Sequence, residues 1–441
     1  MKKVFTLIAL IAISYSTMAQ WMPQASGFTT PSRGVGFMDA VDASVVWAAA
    51  YDGTDPEAAN QEFTHTVNGG ELWVPGTVTG AEGTRFAMID GINADTAYAA
   101  MFVVDDLANQ GIYVTRDGGV TWEEQTTAAY SNTASFLNVV HFFDANNGVA
   151  QGDPINGEFE IYTTSDGGNN WTLLSGDAIP NPISGEWGVV GYTSAVGDTI
   201  WFGTNKGRVY RSADQGHTWE VYTSSLGATY IDVEFANSMY GLAQDKGASS
   251  TGAFSETFDG GVTWTDVTSS GPTLSADFVY VPGTDATFIA TGSNVDVTGE
   301  SGIAYTFDGG HTWDYFLDTE GFQFLATDFI SPTVGWVGAF NTSATEGGMY
   351  VFNGDLTSST NDIPAVENLM VYPNPVSGIL NVRGDSKINS VQIINISGQL
   401  VLESAVNGNS TMINTSSLTK GLYMLNVISA NGIDTRKISI R

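Results

Sequence analysis

The chain has 441 residues, including 51 Gly, 13 Pro and no Cys, and its 15 basic and 47 acidic side chains give a formal net charge of −32. Charged residues make up 14% of the chain, below the usual share of about 25%. This composition disfavours helical bundles and coiled coils and favours short strands joined by Gly-rich turns. The acidity argues against nucleic acid as a partner, and the lack of Cys excludes disulfides, thiolate nucleophiles and thiolate-held metals.

The N-terminus has the pattern of a secretory signal peptide. Lys2 and Lys3 precede an apolar run from Val4 to Ile13, and a small-residue stretch ends at Ala19. We expect residues 1–19 to be removed by cleavage after Ala19. The apolar run is shorter than the ~20 residues that a membrane span needs, and no later segment is apolar enough to cross a bilayer. The sequence therefore predicts an exported protein without a membrane span.

Charge divides the remaining chain into two parts. Between Gln20 and Pro364 there are 43 acidic and seven basic residues, whereas Ala365 to Arg441 holds four acidic and six basic ones. A polar stretch joins these parts, which predicts a first domain over residues 20–356, a linker over 357–366 and a second domain over 367–441. Alternating apolar residues in the second domain predict a small antiparallel β-sandwich.

The second domain carries three motifs in a fixed order. Val371-Tyr-Pro-Asn-Pro375 comes first, followed by Ile396-Ser-Gly-Gln399, Gly421-Leu-Tyr423 and a basic last strand. In these features the domain resembles the type A C-terminal sorting domain of the type IX secretion system. The resemblance implies two partners, the outer-membrane translocon and its sorting protease. It also implies a location outside the cell or on the outer-membrane surface, with release or attachment to lipopolysaccharide left open.

A repeat of about 48 residues fills the first domain. The pattern Ser/Thr-x-Asp/Asn-x-Gly-x-x-Trp occurs six times, and its tryptophans stand at 73, 122, 171, 219, 264 and 313. This period fits one four-stranded propeller blade. Apolar strands in corresponding places number seven, centred near Trp47, Ala99, Val149, Trp201, Leu242, Ile289 and Val337. Trp21 stands 52 residues before Trp73, where a strand completing the seventh blade is expected.

The predicted fold is therefore all-β: a seven-bladed β-propeller closed by the N-terminal strand, from about Trp21 to Phe28, and followed by a small C-terminal β-sandwich. Closure of the ring removes free sheet edges that would otherwise invite aggregation.

The repeated motif resembles the Asp-box (BNR) repeat of sialidases, sortilin-type receptors and photosystem assembly factors. An Asp or Asn early in a tight turn accepts backbone hydrogen bonds, Gly takes the positive-φ positions, and Trp packs between strands. We therefore expect the polar residue of each motif to be structural. These residues are Asn68, Asp117, Asp166, Asp214, Asp259 and Asp308.

Candidate functional residues lie at the ends of the inner strands, where the loops face away from the Asp-boxes. Paired carboxylates suit glycoside hydrolysis, and a solvated acidic rim is the alternative interpretation. The catalytic candidates are Asp52, Asp105, Asp153 and Asp245. Aromatic residues beside such loops suit sugar binding. Two arginines occupy equivalent positions in neighbouring blades, where they can bind an anionic ligand together or, alternatively, form ion pairs with loop aspartates. These ligand-binding candidates are Tyr51, Trp187, Phe202, Arg33 and Arg85.

The sequence leaves three functions open. The first is an exported propeller that binds or scaffolds a glycan or a protein at the cell surface. The second is a diverged glycoside hydrolase that uses two of the loop carboxylates, and whether any enzymatic activity exists is left open. The third is an assembly or stability factor, as the resemblance to photosystem assembly factors implies. No cofactor or histidine metal site is indicated, although oxygen-rich loops are compatible with weak Ca²⁺ binding.

Overall fold

The structure is a computed structural model that describes residues 20–104, 109–130, 135–247, 252–272, 274–316, 319, 321–357, 369–395, 400–429 and 432–441. The predicted signal peptide and all but the first residue of the predicted linker lie outside these ranges. The chain divides into two units between Ser358 and Ser359. Each unit is described by itself below.

The first unit consists of seven four-stranded antiparallel sheets, which are the blades of a propeller. Blade 1 contains β2 (Arg33–Ala40), β3 (Val46–Asp52), β4 (Glu62–Thr66) and β5 (Val74–Thr77), and blade 2 contains β6 (Thr84–Gly91), β7 (Ala97–Val103), β8 (Gly111–Thr115) and β9 (Glu123–Glu124). Blade 3 contains β10 (Leu137–Phe142), β11 (Gly148–Ile155), β12 (Glu158–Thr164) and β13 (Thr172–Leu173). Blade 4 contains β14 (Gly188–Val196), β15 (Thr199–Thr204), β16 (Arg208–Ser212) and β17 (Glu220–Thr223).

The remaining blades follow the same order of pairing. Blade 5 contains β18 (Ile231–Phe235), β19 (Gly241–Asp245), β20 (Phe254–Thr257) and β21 (Thr265–Val267); blade 6 contains β22 (Asp277–Tyr280), β23 (Phe288–Ser293), β24 (Ser301–Thr306) and β25 (Asp314–Tyr315); blade 7 contains β26 (Phe324–Ser331), β27 (Val334–Ser343), β28 (Glu346–Phe352) and, as its outer strand, β1 (Trp21–Ala25). A 3-10 turn, Gly176–Ala178, lies between blades 3 and 4.

The N-terminal strand closes the ring, as predicted. Strand β1 pairs antiparallel with β28, with Trp21 opposite Phe352 and Ala25 opposite Gly348. The Trp21 side chain is only 6% exposed, and its ring packs edge-on against Phe316 at 5.5 Å between ring centroids. The seven-bladed fold and its closure by the first strand of the described chain are therefore confirmed.

The core lies between the blades, because the second strand of each blade is apolar on both faces. Trp47, Trp201 and Trp336 on these strands are at most 1% exposed. One cluster joins Trp47 and Phe63 of blade 1 to residues of blade 2, which shows how neighbouring sheets share their apolar side chains. Burial on both faces fixes the orientation of each inner strand, and so positions the loops at its ends.

The Asp-boxes form the turn between the third and fourth strands of a blade. In the second blade Asp117 Oδ1 accepts the backbone N–H of Thr121 at 2.9 Å and the Thr115 hydroxyl at 2.9 Å. Gly118 and Gly119 adopt φ values of 70° and 81°, a region that favours glycine. Asn68 makes the corresponding contacts in blade 1, with Leu72 N–H at 3.0 Å. The box residues act as fasteners of the turn.

The second unit is one five-stranded antiparallel sheet built from β29 (Met370–Tyr372), β30 (Ile379–Asn395), β31 (Leu400–Asn414), β32 (Gly421–Ser429) and β33 (Gly432–Ile440). The long strand β30 pairs with β29, β31 and β32 in turn. A bridge between Val376 and Ile440 nearly closes the sheet on itself around a core that includes Leu380, Val391 and Leu425. This sandwich-like sheet agrees with the predicted fold class.

Candidate functional site at the axial channel

The innermost strands of the seven blades surround a channel along the propeller axis. Its cavity has a volume of about 320 Å³. Six carboxyl groups line it, together with His141, Tyr192 and Ser194. The six are Asp39, Asp90, Asp232, Glu234, Asp277 and Asp328. Ionisable groups therefore lie on the strands closest to the axis, although a fully packed apolar core would exclude them.

Several of these side chains bridge one blade to the next. Asp90 Oδ2 of blade 2 accepts the N–H of Phe142 in blade 3 at 3.0 Å. Glu234 of blade 5 accepts the N–H of Tyr280 in blade 6 at 3.1 Å. Asp328 of blade 7 accepts the N–H of Ala40 at 2.7 Å, which joins the last blade to the first.

Similar bridges lie at the other blade junctions. Asp39 accepts from Gly91, Ser194 accepts from Phe235 and Asp277 accepts from Thr327. Between blades 3 and 4 the acceptor is Asp153, which binds the Gly188 N–H at 3.1 Å. One role of the channel carboxyl groups is thus structural, because all but Asp232 accept a backbone N–H of the adjoining blade, and Asp232 accepts the N–H of Val233 in its own strand.

Burial in the channel favours the protonated form of these acids. It raises the pKa of Glu234 to about 8 and the pKa values of Asp277 and Asp328 to about 7. The pKa of Asp39 is raised well above its ordinary value by burial and by the nearby charges of Asp90 and Asp328. The channel therefore changes its charge close to neutral pH.

A buried lysine lies beside the channel on the side of blades 5 and 6. The Lys246 side chain is only 2% exposed, and its Nζ lies 3.5 Å from Asp232 Oδ2. Nζ also donates to the carbonyl of Ser275 at 3.1 Å and lies 5.5 Å from the ring centroid of Tyr192. Burial raises the pKa of Asp232 to about 6, and the Lys246 charge opposes this rise. The fold thus already stabilises one ammonium group next to the channel.

A second cavity opens beside the channel, and we call it the mouth pocket. Its volume is about 400 Å³, and Gly36, Phe37, Tyr192 and Ala276 line both cavities. The mouth pocket is further lined by Tyr51, Asp52, Glu57, Arg85, Phe102 and Leu325. This size lies at the lower end of the range of about 300–1,000 Å³ that is typical of ligand pockets.

Arg85 is the main cation of the mouth pocket. Its guanidinium lies 4.8 Å from the centroid of the Phe102 ring, and Nη2 is 2.9 Å from Glu57 Oε2. Nη1 donates to the carbonyl of Pro56. The Nε atom is buried and has no hydrogen-bond partner among the described residues. Nη1 and Nη2 each carry a second N–H, so this side chain, which is 26% exposed, keeps donors for a ligand in the pocket.

The three described catalytic candidates, Asp52, Asp153 and Asp245, lie in different surroundings. Only Asp52 lines the mouth pocket, and it pairs with Arg33. Partial burial opposes ionisation of Asp52, but hydrogen bonds from Thr54 and Arg33 prevail and lower its pKa to about 2. Asp153 bridges two blades, and burial raises its pKa to about 6. Asp245 accepts the Thr229 hydroxyl at 2.6 Å.

Asp105 lies outside the described residues, so its position relative to the others is not part of the structure. Of the three candidates that are described, Asp52 lines the mouth pocket, whereas Asp153 and Asp245 line neither cavity.

The predicted ligand-binding residues divide into four groups. Tyr51 and Arg85 line the mouth pocket. Arg33 is held by Asp52 and Glu62, which is the structural alternative that the sequence left open. The prediction for Phe202 is wrong, because its side chain is 2% exposed and stacks on Tyr210 within the core. Trp187 is 40% exposed and lies 6.4 Å from the ring of Tyr230, outside the lining of both cavities.

The sequence analysis missed the channel acids and Lys246. A usable signal was present, because Asp39, Asp90, Glu234 and Asp328 interrupt the apolar innermost strand at the same place in four repeats. Among the residues that the structure describes, no group of three or more His, Asp or Glu side chains is arranged to hold a metal ion.

Two family models match parts of the chain. Residues 370–441 match the secretion system C-terminal sorting domain. Residues 97–229, which lie in blades 2–4 and the connection that follows, match the photosynthesis system II assembly factor YCF48. The resemblances to an Asp-box propeller and to a type IX sorting domain are thereby confirmed. The tail marks the protein for export through type IX secretion to the cell surface or the extracellular space.

Solved structures with the same fold include YCF48 proteins. YCF48 bound to D1 peptide is 17% identical with a TM-score of 0.52, and the match covers 76% of this chain and 97% of that chain. YCF48 from Cyanidioschyzon merolae is 16% identical with a TM-score of 0.54, covering 76% and 99%. U3-55K is 9% identical with a TM-score of 0.51, covering 76% and 100%. These similarities establish the propeller fold alone.

Among curated proteins, no sequence matches this chain significantly. In the described part of the chain, no helix has the length and apolar character needed to cross a membrane.

Proposed function

We propose that the protein is an exported binding module that takes a polypeptide segment of another surface protein at the mouth pocket. The observation that carries this proposal is the pocket's mixed lining, in which Tyr51, Phe102 and Leu325 stand beside Arg85 and Glu57. Apolar and aromatic surface suits the side chains of a segment. The Nη N–H groups of Arg85 suit a main-chain carbonyl, because their contacts with Pro56 and Glu57 leave further hydrogens to donate.

Two further observations support a binding role over hydrolysis. Of the carboxylates predicted to be catalytic, Asp52 is paired with Arg33 and Asp153 bridges two blades. Neither is free to act across a shared cleft from a second acid, as glycoside hydrolysis requires. In addition, a propeller of the same fold is described in its solved structure as bound to a peptide. This similarity raises the likelihood of peptide binding by analogy of fold.

A glycan-binding function has one observation in its favour. Trp187 and Tyr230 are 40% and 38% exposed and form an aromatic pair near Lys206, whose Nζ lies 5.7 Å from the Trp187 ring. Exposed aromatic rings can stack on sugar rings. This second candidate places the ligand on Trp187, outside the mouth pocket.

Selection from a random peptide library, with a glycan array run in parallel, separates the two candidates. We expect selected peptides to lose at least tenfold in affinity for Tyr51→Ala and for Arg85→Met, which keeps the aliphatic stem of Arg85 over Phe102. Trp187→Ala is the matched control, and we expect it to bind the peptides as the wild type does. Glycan binding that depends on Trp187, with no peptide that depends on Tyr51, would replace the peptide proposal with the glycan one.

A further inference from the structure

Four of the channel acids have no basic side chain as an ion-pair partner among the described residues. These are Asp39, Glu234, Asp277 and Asp328, whereas Asp232 is paired with Lys246 and Asp90 contacts His141. Each of the four accepts a backbone N–H from an adjoining blade, and a carboxylate has capacity for several further donors. The channel therefore holds more hydrogen-bond acceptor capacity than the described residues use.

Tyr192 supplies an independent observation. Its side chain lines both the channel and the mouth pocket. The same ring contacts the ammonium group of Lys246, whose Nζ lies 5.5 Å from the ring centroid. An aromatic face at the junction of two neighbouring cavities suits a cation that passes from one cavity into the other.

We propose that the axial channel receives one organic cation, the ammonium or guanidinium group of a Lys or Arg side chain on the segment bound at the mouth pocket. This inference rests on the proposed function for the identity of the ligand. Lys246 shows the chemistry within the same molecule, since Asp232, backbone carbonyls and the Tyr192 ring stabilise a nearly inaccessible ammonium. The acidity of residues 20–364, with 43 acidic and seven basic residues, also attracts a basic segment.

The charge of the channel makes this binding depend on pH. The titratable and charged groups facing the cavity are Asp39, Asp90, His141, Tyr192, Asp232, Glu234, Asp277 and Asp328, with Lys246 beside them. The pKa values of Glu234, Asp277 and Asp328 are about 7 to 8, so these three acids are largely protonated at pH 6 and more of them are ionised at pH 8. A bound cation favours the ionised forms, so binding should release protons and strengthen as the pH rises.

Titration calorimetry of the full chain with n-butylammonium tests the site directly, and n-butanol serves as the neutral probe of the same shape. We expect saturable binding of butylammonium at pH 8, at least tenfold stronger than that of butanol. At pH 6 we expect binding to be weaker and to release protons, which buffers of different ionisation enthalpy reveal. Equal binding of the two probes would overturn the proposal.

Paired variants assign the binding to the channel. Asp39→Asn combined with Glu234→Gln keeps an amide oxygen to accept the Gly91 and Tyr280 N–H groups while removing two charges. We expect this variant to lose butylammonium binding and to stay folded. Glu71→Gln combined with Asp266→Asn removes two exposed charges as a control. Loss of binding in the control, or its persistence in the channel variant, would contradict the assignment.

The outcomes also separate this inference from the proposed function. If peptides bind in a Tyr51-dependent way but butylammonium does not bind, the channel inference fails and the peptide proposal stands. If butylammonium binds in the channel but no peptide depends on Tyr51, the insertion of a peptide side chain is overturned while the cation site itself holds.

Discussion

At the scale of single residues, the channel acids show how one side chain can serve both fold and function. Asp328 accepts backbone N–H groups from Ala40 and Phe329, so it connects the last blade to the first. Its burial raises its pKa to about 7. The carboxyl group therefore bridges two blades whether or not it carries a proton, because an unprotonated oxygen remains as acceptor in either form.

The raised pKa values predict that the propeller is more stable in acid than at pH 8. The pKa values of Glu234, Asp277 and Asp328 are about 7 to 8 in the folded protein, against about 4 in an unfolded chain. Folding therefore takes up protons, and this contribution to stability is fully present below about pH 4 and is lost as the pH rises through the folded values. We expect the melting temperature to fall between pH 5 and pH 8.

The variant Asp328→Asn provides the control for this pH dependence. It keeps an oxygen that can accept the Ala40 N–H but no longer titrates, so its melting temperature should fall less steeply over the same interval. Calorimetric melts at pH 5, 6, 7 and 8 make the comparison. A wild-type melting temperature that rises toward pH 8, or identical slopes in the two proteins, would show that the buried acids do not govern the dependence.

At the scale of the elements, the strand β1 completes the ring. It supplies the outer strand of blade 7, and the side chain of Trp21 fills a site among Phe316, Phe329 and Phe352. Blade 7 takes its outer strand from the other end of the chain, so the aromatic packing of Trp21 holds together segments more than 300 residues apart. Closure of the ring therefore carries the entropic cost of bringing two distant segments of the chain together, and the packing of Trp21 helps to offset this cost.

Truncation of Trp21 should therefore destabilise the propeller strongly. We expect Trp21→Ala to lower the free energy of unfolding by about 3–5 kcal/mol, the range for removing a buried aromatic side chain. The neighbouring Met22 is 42% exposed, so Met22→Ala is the matched control in the same strand and should change little. Denaturant unfolding followed by tryptophan fluorescence measures both, and an unchanged midpoint for Trp21→Ala would contradict closure by this strand.

At the scale of the whole molecule, folding and export belong to different parts of the chain. All seven blades are complete without a strand from the C-terminal unit, whose five strands form a sheet of their own. The two units are also distinct in charge, since the acidic excess lies before Ala365. We infer that the tail can be removed after export without loss of the propeller.

A chain that ends at Thr357 should therefore keep the melting transition of the propeller. Calorimetry of the full chain and of this shortened chain provides the comparison, and the transition common to both is assigned to the propeller. Disappearance of that transition, or a marked fall in its temperature, would show that the C-terminal unit stabilises the ring.

The sequence alone determined the repeating architecture of this protein. The spacing of the box tryptophans predicted the blades, and the position of Trp21 predicted closure, because turn chemistry and strand periodicity are local properties that a linear pattern records. The order of the tail motifs likewise identified the sorting domain. The roles of Asn68, Asp117 and the other box residues followed from hydrogen bonds within a few residues of each one.

Only the tertiary structure decided where the candidate site lies. From the sequence, the candidates were placed in the acidic loops opposite the Asp-boxes, because propeller ligands usually meet that face or the central channel. The sequence could not show that Asp39, Glu234 and Asp328, far apart in sequence, face one channel, or that Lys246 lies beside it. It also misplaced Phe202, because the exposure of an aromatic side chain depends on which neighbouring blade covers it. Contacts between distant repeats arise only when the ring closes, and no local pattern specifies which side chains then meet.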